Sequence, residues 1–281
     1  MDVIAAGDRI LAFDPANGHR WLLIADGGGA RKEKGLGIVD PDRLVGEPWG
    51  AALQVGAKHV LLLPPTLPDL GRTLRRKAQI ITPKDASRIV YELGLAPGHH
   101  VLESGIGSGA ATLALLHAVA PGGHVVAQEL REDFATWAAK NVARAGMEDA
   151  LTVALGDLTQ GAAEAVTAAA ADRPFDACLL DQPEPWLAIP HVAPTLAVGA
   201  RIVCYTPNVS QMEQTVAALT EAGFIDVRCI EVMERSWKVG ERGSRPDFDA
   251  LGFTAFLTFA RWPGGAPATE SEPGPSSEAA S

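Results

Sequence analysis

Residues 100–119 change periodicity across a turn that few kinds of chain can make. An apolar run, His100-Val101-Leu102, leads into Glu103 and Ser104, and Gly105, Gly107 and Gly109 then stand at alternate positions before a helical stretch begins at Ala110-Ala111-Thr112. Glycines so spaced let the backbone fold tightly at a strand end and approach a ligand closely. The helix beyond the turn offers free N–H groups and the positive end of its dipole. A strand, glycine turn and helix in this order restrict the chain to α/β sheets that bind a nucleotide-type cofactor beyond the carboxyl ends of their strands.

The spacing alone leaves the cofactor open, because Gly105-x-Gly107-x-x-Ala110 also fits a dinucleotide fingerprint. Glu103 tilts the choice. A carboxylate two residues before the first glycine repels a pyrophosphate lying over the turn and suits a ligand with a cationic amino group and no phosphates. S-adenosylmethionine (SAM) is such a ligand. Ser104 and Ser108 lie within the turn and read as hydrogen-bond donors or caps.

Two further strand ends carry carboxylates. HVVAQE ends at Glu129, 24 residues after Gly105, where a carboxylate meets ribose hydroxyls. Dehydrogenases use the same device, so Glu129 supports a nucleoside without naming it. LTVALGD ends at Asp157, which can accept from an exocyclic amine such as adenine N6 or simply cap a loop.

From about residue 84 strand and helix alternate. A lead-in helix is expected over 85–93, strands over 100–103, 124–129, 151–155, 176–181 and 201–205, and helices over 110–119, 132–145, 160–171, 187–197 and 208–222. Such alternation predicts a parallel sheet covered on both faces. The runs 224–233 and 253–262 read as two closing strands with an irregular link. Residues 1–70 differ: short runs such as Arg9–Phe13, Trp21–Ile24 and His59–Leu63 are split by Gly, Asp, Asn and Pro. The expectation is an α/β chain, a doubly wound Rossmann-like sheet over 71–262 preceded by a small β-rich domain over 1–70 and followed by a disordered acidic tail over 263–281.

Charge and cysteine usage narrow the setting. The net charge is −10, and the tail PGGAPATESEPGPSSEAAS contributes three Glu and no cation. Against this acidic background Arg72, Arg75, Arg76 and Lys77 form a dense basic cluster, with a second at Arg31-Lys32-Glu33-Lys34. Either can be a solvated loop or a phosphate contact. Cys178, Cys204 and Cys229 lie singly in apolar runs and, like the histidines, lack metal-ligand spacing, so no metal is expected. No apolar run reaches membrane-spanning length and MDVIAAGDRI lacks the features of a signal peptide, which points to the cytoplasm.

The second chemically informative stretch is Asp181-Gln182-Pro183-Glu184-Pro185-Trp186. Asp181 closes the apolar run Ala177–Leu180, and two prolines stiffen the loop beyond it. A buried carboxylate there can accept from a substrate amine or take up a proton. Trp186 reads as packing under the loop. Tyr205, before Thr206-Pro207-Asn208, can line the same pocket or pack in the core.

Several segments together resemble one family, the tRNA (adenine-N1)-methyltransferases that modify a T-loop adenine, usually at position 58. They are Gln79–Asp85 (QIITPKD), Glu103–Gly109, Asp181–Trp186, Tyr205–Gln211, Glu234-Arg235-x-Trp237, and Arg245-Pro246 followed by Thr254-Ala255-Phe256-Leu257. The resemblance implies a homotetramer that binds tRNA across subunits. It implies SAM against Glu103, Gly105, Gly107, Ser108, Glu129 and Asp157, with Asp181 handling the adenine and Tyr205 and Arg245 flanking it. The sequence departs from the family's pattern at Thr82 and Gln128, where an aromatic is common, and at Phe253, where a His usually precedes the Thr. Alternative readings are a SAM-dependent enzyme acting on a small molecule or protein, an NAD-dependent oxidoreductase, disfavoured by Glu103, and an RNA-binding homologue impaired in catalysis.

Overall fold

The computed structural model describes residues 3–240, 243–249 and 251–265. The acidic tail expected over 263–281 therefore lies, from residue 266 on, outside the described residues.

Six short strands open the chain: β1 (Arg9–Phe13), β2 (Arg20–Ile24), β3 (Arg31–Glu33), β4 (Gly37–Val39), β5 (Ala52–Val55) and β6 (Lys58–Leu63). Four of them form an antiparallel sheet in the order β2-β1-β6-β5, while β3 and β4 pair as a separate hairpin. Ile4, Ile10, Leu23, Val60 and Leu62 fill its core, each almost fully buried.

Helix α1 (Leu67–Thr73) comes next, with Thr66 and Asp69 satisfying each other's backbone groups as a capping box. The expected division near residue 70 falls inside this helix, and Leu70 and Leu22 join the apolar cluster of the second sheet. A strap without regular structure, residues 74–82, leads to α2 (Pro83–Glu92). Pro83 starts α2 because its missing N–H costs nothing there. Ala86, Ile89 and Leu93, spaced at helical intervals, turn one face into the core.

The second sheet is built from β7 (His100–Ser104), α3 (Ala110–Val119), β8 (His124–Glu129), α4 (Glu132–Ala145), β9 (Leu151–Leu155), α5 (Glu164–Asp172), β10 (Phe175–Leu180), α6 (Pro185–Val192), β11 (Leu196–Thr206), α7 (Val209–Glu221) and β12 (Ile225–Glu231). A hairpin of β13 (Trp237–Gly240) and β14 (Gly243–Pro246) precedes the last strand, β15 (Phe256–Arg261). The sheet has seven strands in the order β12-β15-β11-β10-β7-β8-β9. Strands β7 to β11 pair in parallel, and β15 enters antiparallel between β11 and β12.

The expected alternation is observed, with two differences. Strand β11 begins at Leu196, where Leu196 and Ala200 are buried at the end of an apolar face that the sequence pattern assigns to a helix. The link between the closing strands contains the β13–β14 hairpin, whose residues are mostly exposed and so carry no alternating burial pattern. Both faces of the sheet are covered, one by a cluster including Ile89, Leu113 and Leu116, the other by one including Val166, Ile189 and Leu219. Cys178 and Cys204 are buried, while Cys229 is only half-buried.

Candidate active site

The parallel register aligns three strand ends. Ser104 pairs with Gln128 on one side and Leu180 on the other, so Gly105, Glu129 and Asp181 leave the sheet side by side. The strand order reverses between β7 and β10, where a crevice opens in such sheets. A cleft of about 480 Å³ lies there, lined by Ser104, Gly105, Gly107, Glu129, Asp157 and Asp181 among others. Six sequence-predicted residues thus share one cavity of the size small ligands use.

The glycine turn is shaped by contact on one side and by openness on the other. Gly105 has φ +85°, and its Cα faces the backbone of Asp181, whose N–H donates to the Ser104 carbonyl at 2.8 Å. Gly107 has φ +53°, and a Cβ there would meet nothing within 4 Å. Gly109, at φ +83°, caps α3 and packs on Ala138. It stands behind the cleft, as does Ser108, whose buried hydroxyl accepts the N–H groups of Lys77 and Ala78 at 3.0 and 3.4 Å.

The carboxylates differ in their surroundings. Glu129 accepts from the Arg131 N–H at 2.9 Å, and Asp157 from the N–H and hydroxyl of Thr159 at 2.9 and 2.7 Å. Both Asp157 bonds fall on one carboxylate oxygen, while the second oxygen of Glu129 accepts from the Gly107 N–H at 3.4 Å. Burial, reinforced by Glu129, pushes the Asp181 carboxyl up to about 7. Glu103 is fully buried and does not line the cleft, since neighbouring strand residues point to opposite faces and Ser104 takes the open side. Neither of its oxygens has a hydrogen-bond partner among the described residues. Burial, reinforced by Asp181 and Glu129, pushes its carboxyl up to about 8.

The remaining candidates sit elsewhere. Tyr205 is half-buried against the core beside Asp85, and burial and that carboxylate push its phenol up to about 12. It does not line the cleft. Next to it lies a polar knot in which the Lys84 ammonium donates to Asp85 and to the Thr254 hydroxyl, both at 2.7 Å, and the Thr82 hydroxyl donates to Asp85 at 2.9 Å. Thr82 is thereby committed to α2, and Phe253 packs on Phe256 with ring centroids 5.0 Å apart.

Arg72, Arg75 and Arg76 have no ion-pair partner among the described residues, and Arg75 and Arg76 are exposed, whereas Lys77 is paired with Asp133 and lies over the Phe134 and Trp137 rings. Arg245, exposed on β14, lies 5.3 Å from the Phe248 ring centroid. Trp186 lines a separate apolar groove with Trp262.

Sequence reasoning missed several cleft residues. Gln128, noted only as a departure, holds the loop after β9: it donates to the Gly161 carbonyl at 3.1 Å and accepts from the Ala163 N–H at 2.9 Å. Gln182 accepts from the Ser104 hydroxyl. Leu130 and Phe134 add an apolar patch to the cleft wall beside Glu129. Their place after a strand-end carboxylate is the signal that could have found them.

These groups define what the cleft can hold. Beside Glu129, Asp157 and Asp181 stands a single cation, Arg131, which is already bonded to Asp133 at 3.2 Å. Such a wall favours a ligand with ribose hydroxyls, an adenine amine and a positive charge, and opposes a pyrophosphate. The open Gly107 position fits SAM in the same way, whereas Glu103, expected against the cofactor, is buried behind the cleft.

Comparison with known proteins agrees. The family described as "tRNA methyltransferase complex GCD14 subunit" matches residues 58–245. The tRNA (adenine(57)-N(1)/adenine(58)-N(1))-methyltransferase TrmI of Methanocaldococcus jannaschii is 32% identical over 248 residues, covering 81% of this chain and 86% of the relative. Among solved structures, a SAM-dependent O-methyltransferase from Thermotoga maritima superposes with a TM-score of 0.77 at 30% identity, over 92% of this chain and 94% of the other. The tRNA (m1A58) methyltransferase TrmI from Aquifex aeolicus superposes at 0.69 with 25% identity, over 92% and 98%.

Proposed function

The chain belongs to the tRNA methyltransferase GCD14 family, and on that premise we propose that it transfers a methyl group from SAM to N1 of adenine 58 in tRNA. The observation that carries this reading is the cleft: carboxylates at the ends of neighbouring parallel strands, with Asp181 among them and a lone arginine that is already paired.

The sulfonium methyl of bound SAM is already activated, so the protein's task is placement and electrostatics. Glu129 receives the ribose hydroxyls. Asp157 accepts from the cofactor's adenine amine, against the apolar surface of Leu130 and Phe134. The target base leaves the tRNA stack to reach the cleft, as in other enzymes that act on a base. Asp181 accepts a hydrogen bond from the target's N6 amine, which pushes electron density toward N1 and stabilises the cationic product. Arg72, Arg75 and Arg76 hold tRNA phosphates and set its position.

The same reading includes a homotetramer, with tRNA contacting more than one subunit, and work in the cytoplasm. Support for a partner surface is the apolar character of the hairpin region, where Trp237, Val239 and Phe248 are 61%, 83% and 79% exposed. No helix among the described residues is long and apolar enough to cross a membrane. Light scattering of the purified protein tests the assembly.

The deciding experiment is incubation with unmodified tRNA transcript and labelled SAM, then nuclease digestion and mass spectrometry. 1-Methyladenosine at position 58 is the expected product. SAM binding without any methylated RNA would retire the tRNA reading in favour of a small-molecule or protein substrate.

A further inference from the structure

The strap over 75–81 joins the two regions that a tRNA methyltransferase must coordinate. Its outer side carries Arg75 and Arg76, exposed and without ion-pair partners among the described residues. Its inner side carries Ala78, which lines the cofactor cleft.

Among the described residues, 75–81 make no backbone–backbone hydrogen bond. Side chains hold the strap instead. Asn141, on α4 and only 4% exposed, donates to the carbonyls of Arg75 and Ser108, both at 2.9 Å, and accepts from the Arg75 N–H at 3.3 Å. Ser108 returns the contact by accepting from Lys77 and Ala78, and Trp137 donates to the Arg75 carbonyl at 2.6 Å.

One buried carboxamide therefore bonds the glycine turn and the basic strap at once, with both donors and its acceptor in use. Beyond these bonds the strap has the Lys77–Asp133 pair and, at its far end, the buried Ile81, and a segment held by side chains without a backbone ladder is easily loosened when its anchors are free to move. Ligand in the cleft presses on Ala78 and steadies the turn at Ser108. Phosphate on Arg75 and Arg76 steadies the far side of the same strap. Each ligand thus removes part of the ordering cost of the other, which is positive coupling without a large structural change.

We propose that Asn141 is a positioning residue that couples the two ligands, so that tRNA and cofactor bind cooperatively. The proposal rests on the tRNA methyltransferase reading and adds to it a residue that touches neither substrate.

The test measures binding of tRNA transcript by fluorescence anisotropy, with and without saturating S-adenosylhomocysteine as an unreactive cofactor probe. Calorimetry of S-adenosylhomocysteine, with and without tRNA, supplies the reciprocal value. Coupling of about tenfold is expected in the wild type, equal in both directions by linkage. Asn141→Ala should bring it within about twofold of none, while each ligand alone binds nearly as before. Ser108→Ala, which removes the other anchor, should also lower the coupling and serves if Asn141→Ala melts early. A wild type that methylates tRNA but shows no coupling overturns this inference and leaves the function standing, as does full coupling in both variants. A wild type that binds no tRNA overturns both.

Discussion

Gly105 and Asp181 meet backbone to backbone: a Cβ on Gly105 would stand 1.8 Å from the Asp181 carbonyl oxygen. The glycine turn and the loop carrying the proposed catalytic carboxylate therefore form one unit. Gly105→Ala should force the two apart, abolish SAM binding and lower the melting temperature. Gly107→Ala faces open space and should keep the fold, losing only about 1–2 kcal/mol for its left-handed backbone. Equal melting of the two variants would contradict the close approach.

Asp181→Asn keeps the shape of the cleft and removes the negative acceptor. Calorimetry should find SAM affinity within a few-fold of wild type, while the single-turnover methylation rate falls on the order of 10²-fold or more. Normal turnover in this variant would remove Asp181 from the reaction.

The same carboxyl sets a pH dependence. Burial and Glu129 hold it up at about 7. Its ionised form is the stronger acceptor and the one that offsets the positive charge of the product, so kcat/KM should rise by up to roughly tenfold per pH unit below about 7 and level off above. Asp181→Asn should lower the whole profile and remove that rise.

Glu103 makes a different prediction, for stability without ligand. Its folded carboxyl lies at about 8, above the ordinary 4.5, so the folded state keeps a proton that the unfolded chain has released. Stability from this group is therefore lost as pH rises from about 4.5 to about 8. Glu103→Gln does not titrate, and its melting temperature should gain on wild type by several degrees across that window. Parallel melting curves would show that Glu103 is ionised in the fold.

Arg75→Glu with Arg76→Glu should weaken tRNA binding at all salt concentrations. The slope of log affinity against log salt should fall by roughly one for each phosphate that the strap no longer holds. SAM affinity measured without RNA should stay within a few-fold. Unchanged tRNA affinity would move the RNA interface away from the strap.

Much of the sheet was legible because its strands end in a recognisable way, an apolar run closing on Glu129, Asp157 or Asp181. The side on which each residue falls was less so. Glu103 and Ser104 are neighbours, yet strand alternation puts the serine in the cleft and the glutamate behind it. The β13–β14 hairpin escaped detection because Trp237 and Val239 are exposed where a strand pattern expects burial. Gln128 looked like a departure and is a strut, and Asn141 is one polar residue in mid-helix with nothing local to distinguish it. Both act through partners more than 30 residues away, a relation that spacing along the chain does not contain.

Arg9, in the leading sheet, donates to the carbonyls of Ala143 and Arg144 at 3.0 and 3.4 Å. It thereby adds to the C-cap of α4, where the Ala143 carbonyl also accepts from the Gly146 N–H at 3.0 Å. The same helix carries Trp137 and Asn141. In evolutionary terms the leading sheet and α4 are not independent: a lineage that recombined the sheet from elsewhere would have to bring an arginine to the same spot to keep these contacts.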